Sequence, residues 1–243
     1  SRSGRTNELK DTYLNIKEVP EVVINVVTYQ MVEQVNLAST EFEPEINEFY
    51  KAGFTPIASE KIKPFRVKES PVQIECKVRQ VIETGTGAGA ANLVICEVLL
   101  IHVSDKVLDK TGMIDTRKLD LVGRMGADYY VKASGNALFT LEKPMSKVAI
   151  GIDALPEDVR LSPILSGNDL GRLGSQQMMP SAPEIKKYAQ SAEFRMLTAK
   201  HSGDMLKLTG ETHSIPRKLI AENHVHEALL LLLAVSNFIA DAH

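Results

Sequence analysis

The sequence has few cysteines, and this shortage excludes two classes of protein. Its 243 residues include only 2 cysteines, Cys76 and Cys96, and both fall within strand-like apolar patterns. Neither cysteine has the paired spacing of a zinc site or of a disulfide framework. We interpret both as core residues in a reducing compartment, and we expect a cytoplasmic protein.

The chain also lacks a long apolar run and an excess of either charge. Its 28 basic and 31 acidic side chains give a net charge of -3, which does not favour nucleic acid or an anionic membrane as a partner. The longest apolar run covers residues 228–235, whereas a membrane-spanning helix needs roughly 20 apolar residues. There is no signal-peptide pattern. We therefore expect neither a nucleic-acid partner nor a membrane partner.

Motifs of hydrolytic and metal chemistry are missing as well. No Ser-His-Asp set, paired carboxylates or CxxC motif stands out. His224 and His226 are two residues apart and would face different sides of a helix, which disfavours a helix-borne metal pair. We interpret these two and His213 as surface or interface residues, and His102, within a strand pattern, as a hydrogen-bonded core or pocket residue.

What the sequence does contain is a β-rich first part with helices inserted between strands. Apolar periodicity predicts helices at 10–18, 30–37, 45–52 and 116–122, and strands at 21–29, 72–82, 93–103 and 129–134. The alternation over 72–82 indicates a strand with one wet face, and the nearly continuous apolar run over 93–103 favours a position nearer the middle of a sheet. A Gly-rich stretch joins these two strands, which predicts an antiparallel hairpin. Such links favour an antiparallel barrel or sandwich.

From about residue 151, prolines separate helical pieces. Residues 184–200 and 215–240 predict two longer helices with a Gly-containing turn between them. The run 228–235 is apolar on all sides of its helix, so it must be buried in its own domain or against a partner subunit. Of these two, the subunit interface is the interpretation that we favour.

Two stretches could bind phosphate. The glycines at 85–89 are followed by a strand, whereas a phosphate cradle needs a helix there, so a mobile hairpin loop is the favoured interpretation. The second stretch places hydroxyls and cations ahead of a short helix, a combination that suits a phosphate monoester. Its residues are Ser1, Arg2, Ser3, Arg5, Lys10, Asp11 and Thr12. A solvated basic segment with an ordinary helix cap at Asp11 or Thr12 would give the same pattern, and both readings stay open.

Five phrases, in this order, resemble the flavin reductase-like, FMN-binding split-barrel family. They are SRSGR at 1–5, KDTYLNI at 10–16, VVINVV at 22–27, ESPVQIEC at 69–76 and RMGADYY at 124–130. The resemblance covers residues 1–174 and implies a mainly β fold with inserted helices, an antiparallel Greek-key split β-barrel. Residues 175–243 would then be a C-terminal helical extension. The resemblance also implies that the family's first strands are missing from this sequence.

The resemblance implies a set of cofactor-binding residues. Ser1, Arg2, Ser3, Lys10, Asp11 and Thr12 would hold the phosphate and ribityl chain of FMN, and Asn25 would lie close to the flavin. Arg124 and Tyr129 would lie near the isoalloxazine, as the candidate catalytic residues on the nicotinamide or substrate side.

The implied activity is an FMN-dependent oxidoreductase, with NADH or NADPH as electron donor. The implied assembly is a homodimer with FMN at the interface, and a partner monooxygenase would receive the electrons. The alternatives are a non-catalytic flavin-binding protein and a dimerisation module built on the C-terminal helix.

Overall fold

A computed structural model describes residues 1–141, 148–201 and 205–240. The chain divides into two compact units, Ser1–Thr140 and Leu141–His243. None of the helices in the described ranges is both long enough and apolar enough to cross a membrane.

The first unit contains antiparallel strands with helices between them. In chain order its elements are α1 (Asp11–Glu18), β1 (Glu21–Asn25), α2 (Val32–Ala38), α3 (Glu48–Ala52), β2 (Pro56–Ile57), β3 (Arg66–Val67), β4 (Val72–Glu83), β5 (Asn92–Val103), α4 (Thr116–Leu119), β6 (Leu121–Gly126) and β7 (Tyr129–Ala133). Three sheets form, with the orders β1-β4-β5, β2-β3 and β6-β7. Every pair in them is antiparallel, as expected, but the described strands do not close into a barrel.

The β4–β5 hairpin is the largest feature of this unit. Its register runs from the pair Val72–Val103 to the pair Glu83–Asn92, with two irregularities. The hairpin prediction is confirmed, but the expected place of β5 nearer the middle of the sheet is wrong, because β4 is central and β5 lies at the edge. A continuous apolar run indicates two apolar faces, and the sequence cannot show whether both are covered.

Local backbone geometry explains where the shorter elements end. Gly53, at a φ of 69°, ends α3 in the left-handed region that glycine adopts without strain. The helix predicted over 116–122 ends at Leu119, because Asp120 is left-handed (φ 47°) and β6 begins at the next residue. The predicted cap at Asp11 or Thr12 is wrong, because Lys10 is the N-cap of α1 and Asp11 is its first helical residue.

The second unit is helical. It contains α5 (Glu157–Arg160), α6 (Gly167–Gly174), α7 (Ala182–Ala189), α8 (Ala192–Lys200), α9 (Met205–Ala221) and α10 (Val225–Ala240). The single helix predicted over 184–200 is two helices, because the Ser191 side chain caps a new start by accepting from the Phe194 amide. The helix predicted over 215–240 is also divided, with left-handed Asn223 (φ 68°) between α9 and α10. Residues 205–214 of the predicted turn are instead part of α9, which contains Pro216, and residues 202–204 of that turn lie outside the described residues.

Helix α10 forms the core of this unit. Leu229 and Leu232 are 0% and 1% exposed, and they pack in one cluster with Val159 and Leu173. The apolar run is therefore buried inside its own unit, and the favoured subunit interface is wrong for this helix. Because α6 packs in the same cluster, the structure divides the chain near residue 140, whereas the sequence placed the end of the first domain at 174.

Candidate functional site

The first twelve residues, here called the N-terminal segment, fold back on themselves. Arg2 forms an antiparallel bridge with Leu9, and the Lys10 amide donates to the Ser1 carbonyl at 3.1 Å. This fold places Ser1, Arg2 and Ser3 beside the start of α1. The structure thus brings together the six residues that the sequence proposed for the FMN phosphate and ribityl chain.

The start of α1 has the chemistry of an anion site. No side chain caps this end of the helix, and the first-turn amides carry the positive end of the helix dipole. Lys10 is exposed at the N-cap, and the Arg2 Nη1 donates to the Asn7 carbonyl at 2.9 Å, which holds the guanidinium near the turn. Ser3 is buried, and its hydroxyl accepts from two amides of the turn at 3.2 Å, so this side chain shapes the segment.

The Gly-rich stretch forms the loop of the β4–β5 hairpin and contacts the N-terminal segment. The Arg2 amide donates to the Ala90 carbonyl at 3.0 Å, and the Gly89 amide donates to the Ser3 carbonyl at 3.3 Å. Gly89 has a φ of 77°, which a residue with a Cβ rarely adopts. The hairpin-loop interpretation is confirmed, and the loop has backbone partners that the sequence did not indicate.

Asn25 lies elsewhere in the unit. It ends β1 opposite Gln73, and its Oδ1 accepts from the Val67 amide at 3.0 Å, so it joins β1 to β3. The N-terminal segment contacts the hairpin loop, beyond Glu83 at the other end of β4. At about 3.3 Å per residue along a strand, the two ends are roughly 30 Å apart. The structure does not bring Asn25 to the N-terminal segment.

Arg124 and Tyr129 belong to the β6–β7 hairpin. Arg124 pairs with Tyr130 across the hairpin, and its guanidinium carbon lies 5.9 Å from that ring centroid. Tyr129 is 74% exposed. A bridge between Thr28 and Leu121 attaches this hairpin just after β1. The candidate catalytic residues therefore lie toward the Asn25 end of the sheet.

A buried carboxylate forms a cluster that the sequence analysis missed. Glu75 on β4 is 0% exposed and accepts from the amides of Glu60 and Lys61 at 2.9 and 2.7 Å. The His102 Nε2 lies 2.7 Å from its Oε1, and the Arg66 Nε lies 3.6 Å away. Burial acts to raise the pKa of Glu75, but the hydrogen bonds outweigh it, and the pKa lies below its ordinary value.

The contact with Glu75 determines which ring nitrogen of His102 donates a hydrogen bond. Because Glu75 is ionised, the His102 Nε2 carries a proton and donates to it. The His102 Nδ1 then faces the Glu60 carboxylate at 3.8 Å. The interpretation of His102 as a hydrogen-bonded pocket residue is confirmed. Glu75 escaped notice because the alternation over 72–82 placed it on the wet face of the strand.

The other histidines lie in the helical unit. His213 is 1% exposed, and its Nδ1 lies 2.8 Å from the Ser162 hydroxyl, so its expected surface or interface position is wrong. Burial lowers the pKa of His213, and the nearby Asp158 carboxylate opposes this effect. His224 and His226 are exposed, as expected. Over the described ranges, no three His, Cys, Asp or Glu side chains are grouped to hold a metal ion.

Comparisons with known proteins identify the family. Residues 5–120 match the model of the flavin reductase like domain. An uncharacterized protein of Aquifex aeolicus is 39% identical over 129 residues, which cover 53% of this chain and 64% of that protein. One of Halalkalibacterium halodurans is 37% identical over 137 residues, covering 56% and 64%. The chain belongs to the flavin reductase-like family.

A solved structure agrees in sequence and in fold. The crystal structure of nitrilotriacetate monooxygenase component B from Bacillus cereus is 30% identical, with a TM-score of 0.51 over 56% of this chain and 67% of that chain. The chain spans less than two thirds of the two curated relatives, at 64% of each.

Proposed function

We propose that this protein binds FMN and acts as an oxidoreductase that passes electrons from NADH or NADPH to the flavin. The observation that carries the proposal is the N-terminal segment of a flavin reductase-like chain, which places Arg2 and Lys10 beside the uncapped start of α1. Amides at a helix start and cationic side chains together suit a phosphate monoester.

The residues have distinct roles in this proposal. The α1 amides, Lys10 and Arg2 bind the phosphate, and the hydroxyls of Ser1 and Thr12 lie beside them for the ribityl chain. Ser3 holds the shape of the turn through its two hydrogen bonds, and Asp11, in the first turn of α1, completes the proposed set. Bound FMN supplies the hydride chemistry, and the protein contributes binding and orientation. Arg124 and Tyr129 shape the side of the flavin that receives the nicotinamide or the substrate. The proposed complete fold is a Greek-key split barrel.

A homodimer would unite the two separated groups of residues. The N-terminal segment and the β6–β7 hairpin lie toward opposite ends of the β4–β5 hairpin, so a site that uses both takes them from two copies. One face of the β1-β4-β5 sheet is apolar and open, with Ile24 49% exposed, Val98 52% and Ile101 53%. Such patches typically mark contacts between proteins. This face is our proposed contact. Asn25, the last residue of β1, has its side chain on the other face of the sheet, and we place it close to the flavin of the pair as an expectation from the family resemblance.

The acceptor of the electrons is proposed by similarity. The Bacillus cereus structure is named as component B of a monooxygenase. A chain 30% identical to it would deliver reduced flavin to a partner monooxygenase.

An FMN titration tests the phosphate site. Lys10→Gln removes one cation at the start of α1 and is expected to weaken FMN binding about tenfold, the effect of one hydrogen bond to a charged group. Lys17→Gln is the matched control, because Lys17 lies in the last turn of the same helix, about 10 Å away by the helix rise. Quenching of FMN fluorescence measures both affinities.

The proposal fails if the wild-type protein takes up no FMN, or if the two variants weaken binding equally. Oxidation of NADH and NADPH, followed with FMN present, then separates a reductase from a flavin-binding protein without turnover. The reductase oxidises one of the two faster than free FMN does.

A further inference from the structure

A polar cavity in the first unit lies apart from the residues proposed for FMN. Its volume is about 510 Å³, and its walls come from the ends of β3, β4 and β5, from the turn after β5 and from α4. None of the nine predicted cofactor or catalytic residues lines it. The cavity is therefore a separate place to look for a ligand.

The walls of this cavity are cationic in a chain whose net charge is -3. Its four cationic side chains are Arg66, Lys68, Lys106 and Lys118, and its two carboxylates are Glu69 and Asp120. A concave surface with an excess of one charge concentrates ligands of the opposite charge. The lining thus selects for an anion.

Both carboxylates are already engaged. Glu69 accepts from the Thr55 amide at 3.1 and 3.2 Å, and Asp120 lies 3.5 Å from the Lys132 Nζ. Burial acts to raise the pKa of Glu69, but the bonds from Thr55 outweigh it and leave the pKa low. Neither carboxylate lies within 4.0 Å of a lysine ammonium group of the cavity, and the charge of Lys68 contributes to the low pKa of Glu69 only from a longer distance.

Arg66 faces the buried Glu75 carboxylate at 3.6 Å, but the three lysines of the cavity have no such partner in the part of the chain that the structure describes. Among the described residues no carboxylate lies within 4.0 Å of the ammonium groups of Lys68, Lys106 or Lys118. Lys118 donates to the Leu108 carbonyl, which carries no net charge. Their positive charges are available to an anion in the cavity.

Hydrogen bonds hold the side chains on the buried side of the cavity. Arg66 donates from Nη2 to the Ala58 carbonyl at 2.9 Å and from Nη1 to the Gln73 side chain at 3.2 Å. His102 is held by the buried Glu75. A preorganised wall of this kind lowers the ordering cost of binding.

We infer that this cavity is a second anion site, which takes a small molecule through a phosphate or diphosphate group held by Lys68 and Lys106, with Lys118 beside them. Lysine ammonium groups bind phosphate as point charges. The phosphate group could come from inorganic pyrophosphate or from a nucleotide, and the experiment below distinguishes these sources.

Titration calorimetry with inorganic pyrophosphate, at low salt, tests this inference. The double variant Lys68→Gln/Lys106→Gln is expected to bind at least about tenfold more weakly than the wild type. The matched control is Lys51→Gln/Lys77→Gln, which removes the same charge from two exposed lysines outside the cavity. Its affinity should stay within about twofold of the wild type, because distant exposed charges are screened.

Absence of pyrophosphate binding by the wild type would overturn the inference, and so would equal losses in the two double variants. A titration with ADP identifies the source. If ADP binds more than about tenfold more tightly than pyrophosphate, and the Lys68→Gln/Lys106→Gln variant loses that binding, the ligand is a nucleotide. The added affinity then comes from contacts to the nucleoside. Equal affinities identify the inorganic anion.

A repeat in the presence of saturating FMN keeps this result separate from the proposed function. Unchanged pyrophosphate binding supports two sites, and displacement of pyrophosphate by FMN overturns the second site. A protein that binds pyrophosphate in the cavity but takes up no FMN would reject only the proposed function.

Discussion

Strand β5 and helix α10 contain the two most apolar stretches of the chain, and their burial is opposite. In β5, Val98 and Ile101 are 52% and 53% exposed, whereas in α10 Leu229 and Leu232 are 0% and 1% exposed. Helix α10 is surrounded by other helices of its unit, and β5 lies at the edge of a three-stranded sheet. An apolar run therefore indicates a surface that avoids water, but it does not identify what covers that surface.

The largest expected effect is on the stability of the helical unit, when a buried leucine of α10 is shortened. Leu232→Ala should lower the free energy of unfolding by about 2–5 kcal/mol, because it leaves a cavity in the core around α10. Leu161→Ala is the control, since Leu161 is 72% exposed in the same unit, and its effect should stay within about 0.5 kcal/mol. Urea unfolding followed by circular dichroism measures both. Equal effects would show that α10 is not a core helix.

A smaller effect is expected on dimerisation, when the exposed apolar face of the β1-β4-β5 sheet is given a charge. Ile101→Lys should leave the fold intact but weaken a homodimer at least thirtyfold, from the loss of about 2 kcal/mol of apolar burial. Met113→Lys makes the same kind of change at a loop residue that is 67% exposed and should leave dimerisation unchanged. Sedimentation equilibrium measures the dissociation constants. A monomeric wild type, or an unaffected dimer in the Ile101 variant, would contradict the proposed contact.

The smallest expected effect is on the pH dependence of stability, and it distinguishes the buried His213 of the helical unit from the buried Glu75 of the first unit. His213 has a lowered pKa, against 6.5 for the free group, so the folded state favours the neutral form. The stability that this preference contributes is complete above about pH 6.5 and declines as the pH falls below it. Between about pH 7 and pH 5 we therefore expect the free energy of unfolding to fall, because the unfolded chain binds a proton at this histidine more readily than the folded chain does.

The slope of unfolding free energy against pH provides the measurement. His213→Gln should lose this slope, and the control His226→Gln should retain it, because His226 is exposed. Glu75 stabilises the fold through its ionised form, whereas His213 does so through its neutral form. Because the pKa of Glu75 is lowered, its contribution to stability is lost only as the pH falls through that pKa. Its loss should begin near the ordinary value of 4.5. If both variants kept the slope, the burial of His213 would not explain it.

Local features of the chain were predictable because neighbouring residues cause them. The strand over 72–82 and the Gly-rich link to β5 each depend on a few adjacent residues, and each is confirmed. The wet face predicted for that strand is wrong at Gln73 and Glu75, which are buried. The grouping of Ser1 and Arg2 with Lys10 was also within reach, because one turn brings them together.

Features that depend on distant residues were not predictable. Glu75 is polar in an alternating strand, and the amides that bury it come from residues 60 and 61, outside the strand. Asn25 and the N-terminal segment are close in sequence, yet β4 separates them, because a strand moves the chain about 3.3 Å per residue. His213 gave no local indication of burial.

The sequence by itself determined the strands β1, β4, β5 and β7, the antiparallel hairpin and, through five short phrases, the family. Periodicity and turn chemistry act over a few residues, so one sequence suffices to detect them. Only the tertiary structure decided which apolar run is covered, which carboxylate is buried and which cations line a cavity. These properties depend on packing between segments far apart in the chain, where burial and charge arise from contacts that no local pattern records.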